Sequence, residues 1–140
     1  MRSLLVLMWV ALLSACEKPA EVQLEIESDT ARPVKVVVVN MFEIGEDTGD
    51  RAGEFQLWKE RRNLTEVLPF LGYRDLHYDP ESQLLVMVTG IGTARAAAAT
   101  MALGLDERFD LTKSYWVITG IAGIDPEDAT IGSAVWAEYL

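Results

Sequence analysis

Two short stretches of the sequence place glycines directly after apolar segments, where a backbone can come close to a ligand. The first is VMVTGIGTARAAAATMALGL, at residues 86–105, and the second is WVITGIAGIDP, at residues 116–126. Each runs an apolar segment of β type into Thr-Gly-Ile, and each adds a second glycine within three residues. Ligands of open α/β sheets bind outside the carboxyl ends of the strands. The two turns are therefore either simple chain reversals or two walls of one ligand site.

The first turn has the features of an anion site as well as those of ordinary packing. It leads into an alanine-rich segment that predicts a helix over 94–103, with Thr93 as its N-cap and Gly104 as its C-terminal stop. A helix N-terminus presents free N–H groups and partial positive charge, and Arg95 would add a cation there. The third glycine of a dinucleotide fingerprint and the Gly-Lys-Ser/Thr of a P-loop are both missing. Composition alone therefore favours a tight strand-to-helix turn.

The other clusters of polar residues give weaker chemical signals. Five carboxylates fall within residues 43–54, but their spacing does not match a calcium-binding loop, so we expect a solvated loop. His77 is the only histidine, and it has no second histidine with which to form a metal site. We expect it to be a structural or surface residue. The sequence therefore predicts neither a metal site nor a bound cofactor.

Length and charge narrow the class of protein. A chain of 140 residues, half of them hydrophobic, is long enough for one domain with a real core. The formal net charge is -10 and the isoelectric point is about 4.5. Binding of nucleic acid is disfavoured, because no basic stripe is present to neutralise phosphates.

The first sixteen residues, MRSLLVLMWVALLSAC, have the charge, length and small-residue end of a secretory signal. The apolar run at 4–13 is too short to span a bilayer. The final Leu-Ser-Ala-Cys resembles the lipobox of bacterial lipoproteins, in which the cysteine becomes the acylated first residue. The alternatives are an ordinary signal with an incidental cysteine and a buried N-terminal helix. We expect lipidation of Cys16 and a periplasmic lipoprotein anchored to a membrane of the bacterial cell envelope.

The rest of the chain divides into an acidic tether at 17–33 and a folded part at 34–140. Buried strands are predicted at 34–39, 84–88 and 115–119, a last strand at 133–139, and helices within 53–64 and 94–103. This alternation predicts a three-layer α/β domain with a largely parallel or mixed central sheet flanked by helices. Only two helices are clear and strand character continues to the last residue. We therefore expect an incomplete domain, the N-terminal portion of a longer protein.

Three stretches also resemble the purine nucleoside permease family, which is similar to the nucleoside phosphorylase superfamily. They are KVVVVNMFEIGEDTGDRAGEFQLWKERRNLTEVLPF, VTGIGTARAAAATMALGL and YWVITGIAGIDPEDATIGSAVWAEY. The resemblance extends over residues 33–140 and implies a nucleoside-phosphorylase-like fold. The family's proteins are longer than this chain, which agrees with the expectation of a partial domain.

The resemblance also implies which residues form a site. In the superfamily, the loop after the first strand, the Gly-x-Gly turn and an Ala-Gly turn converge on one pocket for ribose and, in phosphorylases, phosphate. The corresponding residues here are Glu43 as base or hydroxyl partner, Gly90, Gly92, Ala122 and Gly123 against the nucleoside, and Thr93 and Arg95 near an anion. Phosphorylases often carry Ser or Thr at the position of Arg95, so phosphate as a co-substrate stays open.

Three functions remain open on this basis. The first is a purine nucleoside permease-like protein that binds nucleosides at the cell envelope in connection with transport. The second is a nucleoside phosphorylase or nucleosidase that cleaves the N-glycosidic bond, and the third is a truncated, non-functional fragment. The expected partners are a purine nucleoside and, through the lipid anchor, a membrane surface. Nucleic acid is not expected, and a homo-oligomer is left open.

Overall fold

The computed structural model describes residues 30–138, so the signal segment, Cys16 and nearly all of the tether lie outside it. The described range contains two helices and seven strands. In chain order they are β1 (Arg32–Pro33), β2 (Val36–Asn40), α1 (Gln56–Arg61), β3 (Glu66–Leu68), β4 (Leu76–Asp79), β5 (Leu84–Val88), α2 (Thr93–Gly104), β6 (Phe109–Asp110) and β7 (Tyr115–Ile118).

Five strands form one mixed sheet in the order β3-β4-β5-β2-β7. Strands β5, β2 and β7 run parallel, with Val38 of β2 in register with Val86 on one side and Val117 on the other. Strand β4 pairs antiparallel with β3 on one side and with β5 on the other. The short strands β1 and β6 pair separately. The predicted α/β class with a mixed sheet is therefore confirmed.

The two faces of the sheet pack against different helices, because alternate residues of a strand point to opposite sides. One face buries a cluster that includes Val37, Val39, Leu85 and Met87 with Ala99 and Leu103 of α2. The other buries Val38, Val86 and Val88 with Phe55, which directly precedes α1. The uninterrupted valine run of β2 is explained by this double cover.

Strand β7 is at the position predicted, but it is not the buried strand that was expected. Tyr115, Trp116 and Ile118 are 78%, 38% and 57% exposed. Within the described range, β7 is an edge strand that pairs with β2 alone. An apolar sequence predicts a strand, but only the neighbouring elements determine whether that strand is covered.

Two further sequence predictions need correction. The strand predicted at 133–139 is absent from its described part, since residues 133–138 are irregular and Trp136 is exposed. Gly92, not Thr93, is the N-cap of α2, and Thr93 is its first helical residue. Gly92 adopts a φ of 102°, which strongly favours glycine, so the backbone itself determines where the helix begins.

The double cover of the central strands predicts a large difference between two leucine-to-alanine substitutions. Leu85 is completely buried, whereas Leu71 is 99% exposed. We expect Leu85→Ala to lower the free energy of unfolding by about 3 kcal/mol, because it leaves a cavity in a packed core. Urea denaturation measures this, with Leu71→Ala as the control. Equal effects of the two substitutions would contradict the packing described.

Candidate functional site

The carboxyl ends of β5, β2 and β7 meet at one edge of the sheet, and a loop leaves from each strand. Thr89 N donates a 2.8 Å hydrogen bond to Asn40 O, which joins the end of β5 to the end of β2. On the other side, Thr119 N donates to Val39 O at 3.0 Å. The loops that start at Thr89 and Thr119 therefore lie on either side of Asn40. The structure thus brings together the two Thr-Gly-Ile turns that the sequence pointed to.

The turn after β5 depends on its two glycines for its backbone shape. Gly90 is buried with a φ of 82°, and a Cβ there would lie 3.0 Å from Arg95 Cδ and 3.3 Å from Tyr73 Cγ. Gly92 has open space around its Cβ position but also a positive φ. Beyond Gly92, the N-terminus of α2 has no side-chain cap among the described residues. Its N–H groups are available to an acceptor from outside the helix.

Arg95 lies beside this turn on the exposed surface of α2. Its guanidinium carbon is 5.6 Å from the centroid of the Tyr73 ring, a cation–π arrangement. Tyr73 was not among the predicted site residues. The ring of Tyr73 helps to hold the Arg95 side chain next to Gly90. The spacing of Tyr73 and Arg95 in the sequence does not indicate this contact.

Glu43 lies in the loop after β2, but its carboxylate points toward the start of α1. Oε1 accepts hydrogen bonds from the N–H groups of Ile44 and Gly53, and Oε2 accepts from those of Phe55 and Gln56. Burial raises the pKa of Glu43. The four N–H donors together lower it by more than burial raises it, so the net pKa is below the ordinary value. The carboxylate caps α1 from a distance in the sequence, and its acceptor positions are already filled.

Glu54 joins two of the loops at the candidate site, a role that the sequence did not reveal. Its Oε2 accepts a 2.7 Å hydrogen bond from Met41 N, in the loop after β2. Its Oε1 accepts a 2.9 Å hydrogen bond from Ile121 N, in the loop after β7. Glu54 had been grouped with the solvated carboxylates of the acidic loop. Its position directly before the buried Phe55 is the one local signal that it faces inward.

Asn40 is a second residue that the sequence prediction missed. It ends β2, is completely buried, and accepts a hydrogen bond from Thr119 Oγ1 through Oδ1. Its Nδ2 has no hydrogen-bond partner among residues 30–138. The sequence offered one signal of its role, because a polar residue directly follows four valines at the end of a predicted buried strand.

The second predicted wall is more open than the first. Ala122 and Gly123 are exposed in the loop after β7, and a Cβ at Gly123 would meet nothing within 4 Å. The loop is joined to the site through Ile121 and Glu54. Of the predicted site residues, Gly90, Gly92, Thr93 and Arg95 thus share one turn, and Ala122 and Gly123 lie in the next loop. Glu43 is turned toward α1.

His77 has the structural role that was one of the two expected. It is buried on β4, where its ring centroid lies 4.7 Å from that of Phe55 and its Nδ1 is 3.2 Å from Lys59 Nζ. Burial, followed by the charge of Lys59, lowers the pKa of His77 below its ordinary value. In residues 30–138, no three His, Cys, Asp or Glu side chains are grouped closely enough to hold a metal ion.

The capping role of Glu43 predicts a pH-dependent contribution to stability. Because its folded-state pKa is lowered, the contribution is present above the ordinary value of 4.5 and is lost as the pH falls through the folded-state pKa. We expect Glu43→Gln to cost about 2 kcal/mol at neutral pH, since the new NH₂ group faces backbone donors. Urea denaturation over a falling pH series should show this difference shrinking. Glu46→Gln, in the same exposed loop, is the control, and a pH-independent difference would contradict the role.

The bridging role of Glu54 predicts a local loosening of the site. In Glu54→Ala, we expect the amide of Ile121 to exchange with solvent about ten times faster, because the hydrogen bond between the loops is gone. Hydrogen exchange measured by NMR reports this directly, and Val86 in β5 should keep its protection. Unchanged exchange at Ile121 would show that the loop is held in another way.

A family model and the individual relatives of this chain all carry the same description. The family model described as purine nucleoside permease matches residues 33–140. A probable purine nucleoside permease of Schizosaccharomyces pombe is 32% identical over 127 residues, which are 86% of this chain and 34% of that protein. A purine nucleoside permease of Candida albicans is 35% identical over 107 residues, 75% of this chain and 25% of that protein. No solved structure matches the chain.

The matched range includes both helices and the whole mixed sheet, together with every predicted site residue except Cys16. The chain spans about a third of the length of the S. pombe relative and a quarter of that of the C. albicans relative. Since the family model covers well over half of this sequence, the chain belongs to the purine nucleoside permease family.

Proposed function

We propose that the carboxyl edge of β5, β2 and β7 binds a purine nucleoside, and that the protein takes part in nucleoside transport at the cell envelope. The names of the two relatives support the substrate class and the link to transport. The single structural observation that carries the proposal is the convergence of two glycine-containing loops on either side of Asn40. Glu54 joins the loop after β7 to the loop after β2, which begins next to Asn40.

Each wall of this edge suits a different part of a nucleoside. At the first wall, Gly90 and Gly92 let the backbone approach the ligand, and the N-terminus of α2 with Thr93 and Arg95 favours an anion such as phosphate. At the second wall, Ala122 and Gly123 present little side-chain bulk to a sugar or base. A purine nucleoside between the walls would contact both loops.

Cleavage of the N-glycosidic bond, with water or phosphate, is the alternative function. It is supported by the resemblance of the sequence to the nucleoside phosphorylase superfamily. The environment of Glu43 argues against it, because a catalytic base needs a free lone pair and this carboxylate accepts four backbone hydrogen bonds. We therefore rank binding above cleavage.

The place of action follows from the proposed lipid anchor at Cys16. Acyl chains on this cysteine would hold the protein at a membrane surface, where it would capture nucleosides. No helix within residues 30–138 has the length and apolarity needed to cross a membrane.

Incubation of the purified mature protein, which begins at Cys16, with adenosine, guanosine and inosine, with and without phosphate, tests the proposal. We expect binding in equilibrium dialysis and no release of free base in chromatography. Release of base would instead establish the cleavage alternative. Absence of both binding and release would contradict the proposed function and favour the third alternative, a truncated, non-functional fragment.

Gly123→Val tests whether the second wall contacts the ligand. The structure has room for the added side chain, so we expect an unchanged circular dichroism spectrum but binding weaker by about ten-fold. Gly104→Val is the matched control, since its Cβ position is also open but lies at the far end of α2. Undiminished binding in Gly123→Val would remove this loop from the site.

A further inference from the structure

We infer that Asn40 is a nucleoside-binding residue whose side-chain Nδ2 donates a hydrogen bond to an uncharged acceptor of the ligand. The inference rests on the proposed function, since it concerns the same edge of the sheet. It goes further by assigning the floor of the site to a residue between the two walls, and by stating the chemistry of the group that this residue recognises.

The first support is the burial of an unpaired donor. Asn40 has no exposed surface, and its Nδ2 lacks a hydrogen-bond partner anywhere in residues 30–138. Buried polar atoms are normally paired, because leaving a donor without water or a protein acceptor destabilises the fold. The four preceding residues of the run are valines, and an apolar side chain at position 40 would avoid this cost. A ligand acceptor at Nδ2 accounts for the asparagine.

The second support is the orientation of the amide. Oδ1 accepts a hydrogen bond from Thr119 Oγ1, which holds the amide plane against the strand end at β7. The nitrogen of the same amide is therefore directed away from Thr119. Since the backbone carbonyl of Asn40 accepts a hydrogen bond from Thr89 on the opposite side, Asn40 is the middle residue of the edge formed by the three parallel strands.

The third support concerns charge, and it selects the type of acceptor. Oε2 of Glu54 lies 2.7 Å from the backbone nitrogen of Met41, the residue that follows Asn40. A phosphate at Nδ2 would be repelled by this nearby negative charge. An uncharged group, either a sugar oxygen or an acceptor of the purine base, would not be. Any anion belongs instead at the N-terminus of α2, beside Arg95.

Because Asn40 is completely buried, entry of a ligand requires a neighbouring segment to move, and the loop after β7 is weakly held. In the part of the chain that the structure describes, the Glu54–Ile121 bond is the only hydrogen bond between residues 120–124 and other segments. Ile121 itself is 68% exposed. We therefore expect this loop to move when a ligand binds.

A cycle that varies both protein and ligand tests the inference. Calorimetry measures the affinities of the wild-type chain and of Asn40→Leu for inosine, its 2′-, 3′- and 5′-deoxy analogues, and purine riboside, which lacks the base carbonyl. In the wild type, we expect one analogue to bind about ten-fold more weakly than inosine. In Asn40→Leu, that analogue and inosine should bind equally, and the identity of the analogue distinguishes a sugar acceptor from a base acceptor.

Two further variants keep the test decisive. Asn63→Leu makes the same change at an exposed position and should leave all affinities unchanged. Thr119→Val keeps the amide but removes its orienting partner, so it should reduce the discrimination between ligands even if Asn40→Leu fails to fold. We also expect Asn40→Leu to melt at the same temperature as the wild type or higher, because the unpaired donor is gone.

The outcomes separate the inference from the function on which it rests. If the wild type binds inosine and Asn40→Leu keeps the full discrimination, the inference is wrong and the proposed function stands. A uniform loss for all ligands, together with a lower melting temperature, would show that Asn40 is structural. If the wild type binds no nucleoside, both proposals are overturned.

Discussion

The structure depends on the central position of β2. This strand is hydrogen-bonded to β5 on one edge and to β7 on the other, and Val37, Val38 and Val39 are buried on its alternate faces. Because the run contains no polar side chain until Asn40, the chain can leave the core only at the strand's carboxyl end. The loops that follow β5 and β7 start beside the same point, so the packing of one apolar strand determines where the candidate site lies.

Two carboxylates then organise the loop after β2. Glu43 gathers four backbone N–H groups and anchors the loop to the start of α1, and Glu54 joins Met41 to Ile121. Backbone donors that would otherwise have to find water are thus paired with negatively charged acceptors, which form stronger hydrogen bonds than neutral ones. The acidic loop is therefore part of the framework of the site, although its composition suggested only a solvated connection.

The sequence predictions succeeded where an element is determined by residues close to one another in the chain, and failed where it depends on distant segments. The strand at 84–88 and the position of α2 were predicted well, since apolar runs and an alanine-rich segment act within a few residues. The cover of β7 and the strand expected at 133–139 were predicted wrongly, because an apolar pattern does not indicate whether a neighbouring strand is present. The contacts of Tyr73 with Arg95 and of Asn40 with Thr119 join distant segments, and no spacing rule identifies them.

By itself, the sequence determined the α/β class, the family, and the two glycine turns at the edge of the sheet. These follow from local backbone preferences, from the apolar pattern and from residue identities in three stretches of the chain. Only the tertiary structure decided where the polar side chains near this edge point. Glu43 turns toward α1, Glu54 bridges two loops, and Asn40 keeps an unpaired donor at the strand end. The physical reason is that hydrogen bonds between distant segments depend on how β2, β5 and β7 align, which is settled only when both faces of the sheet are packed.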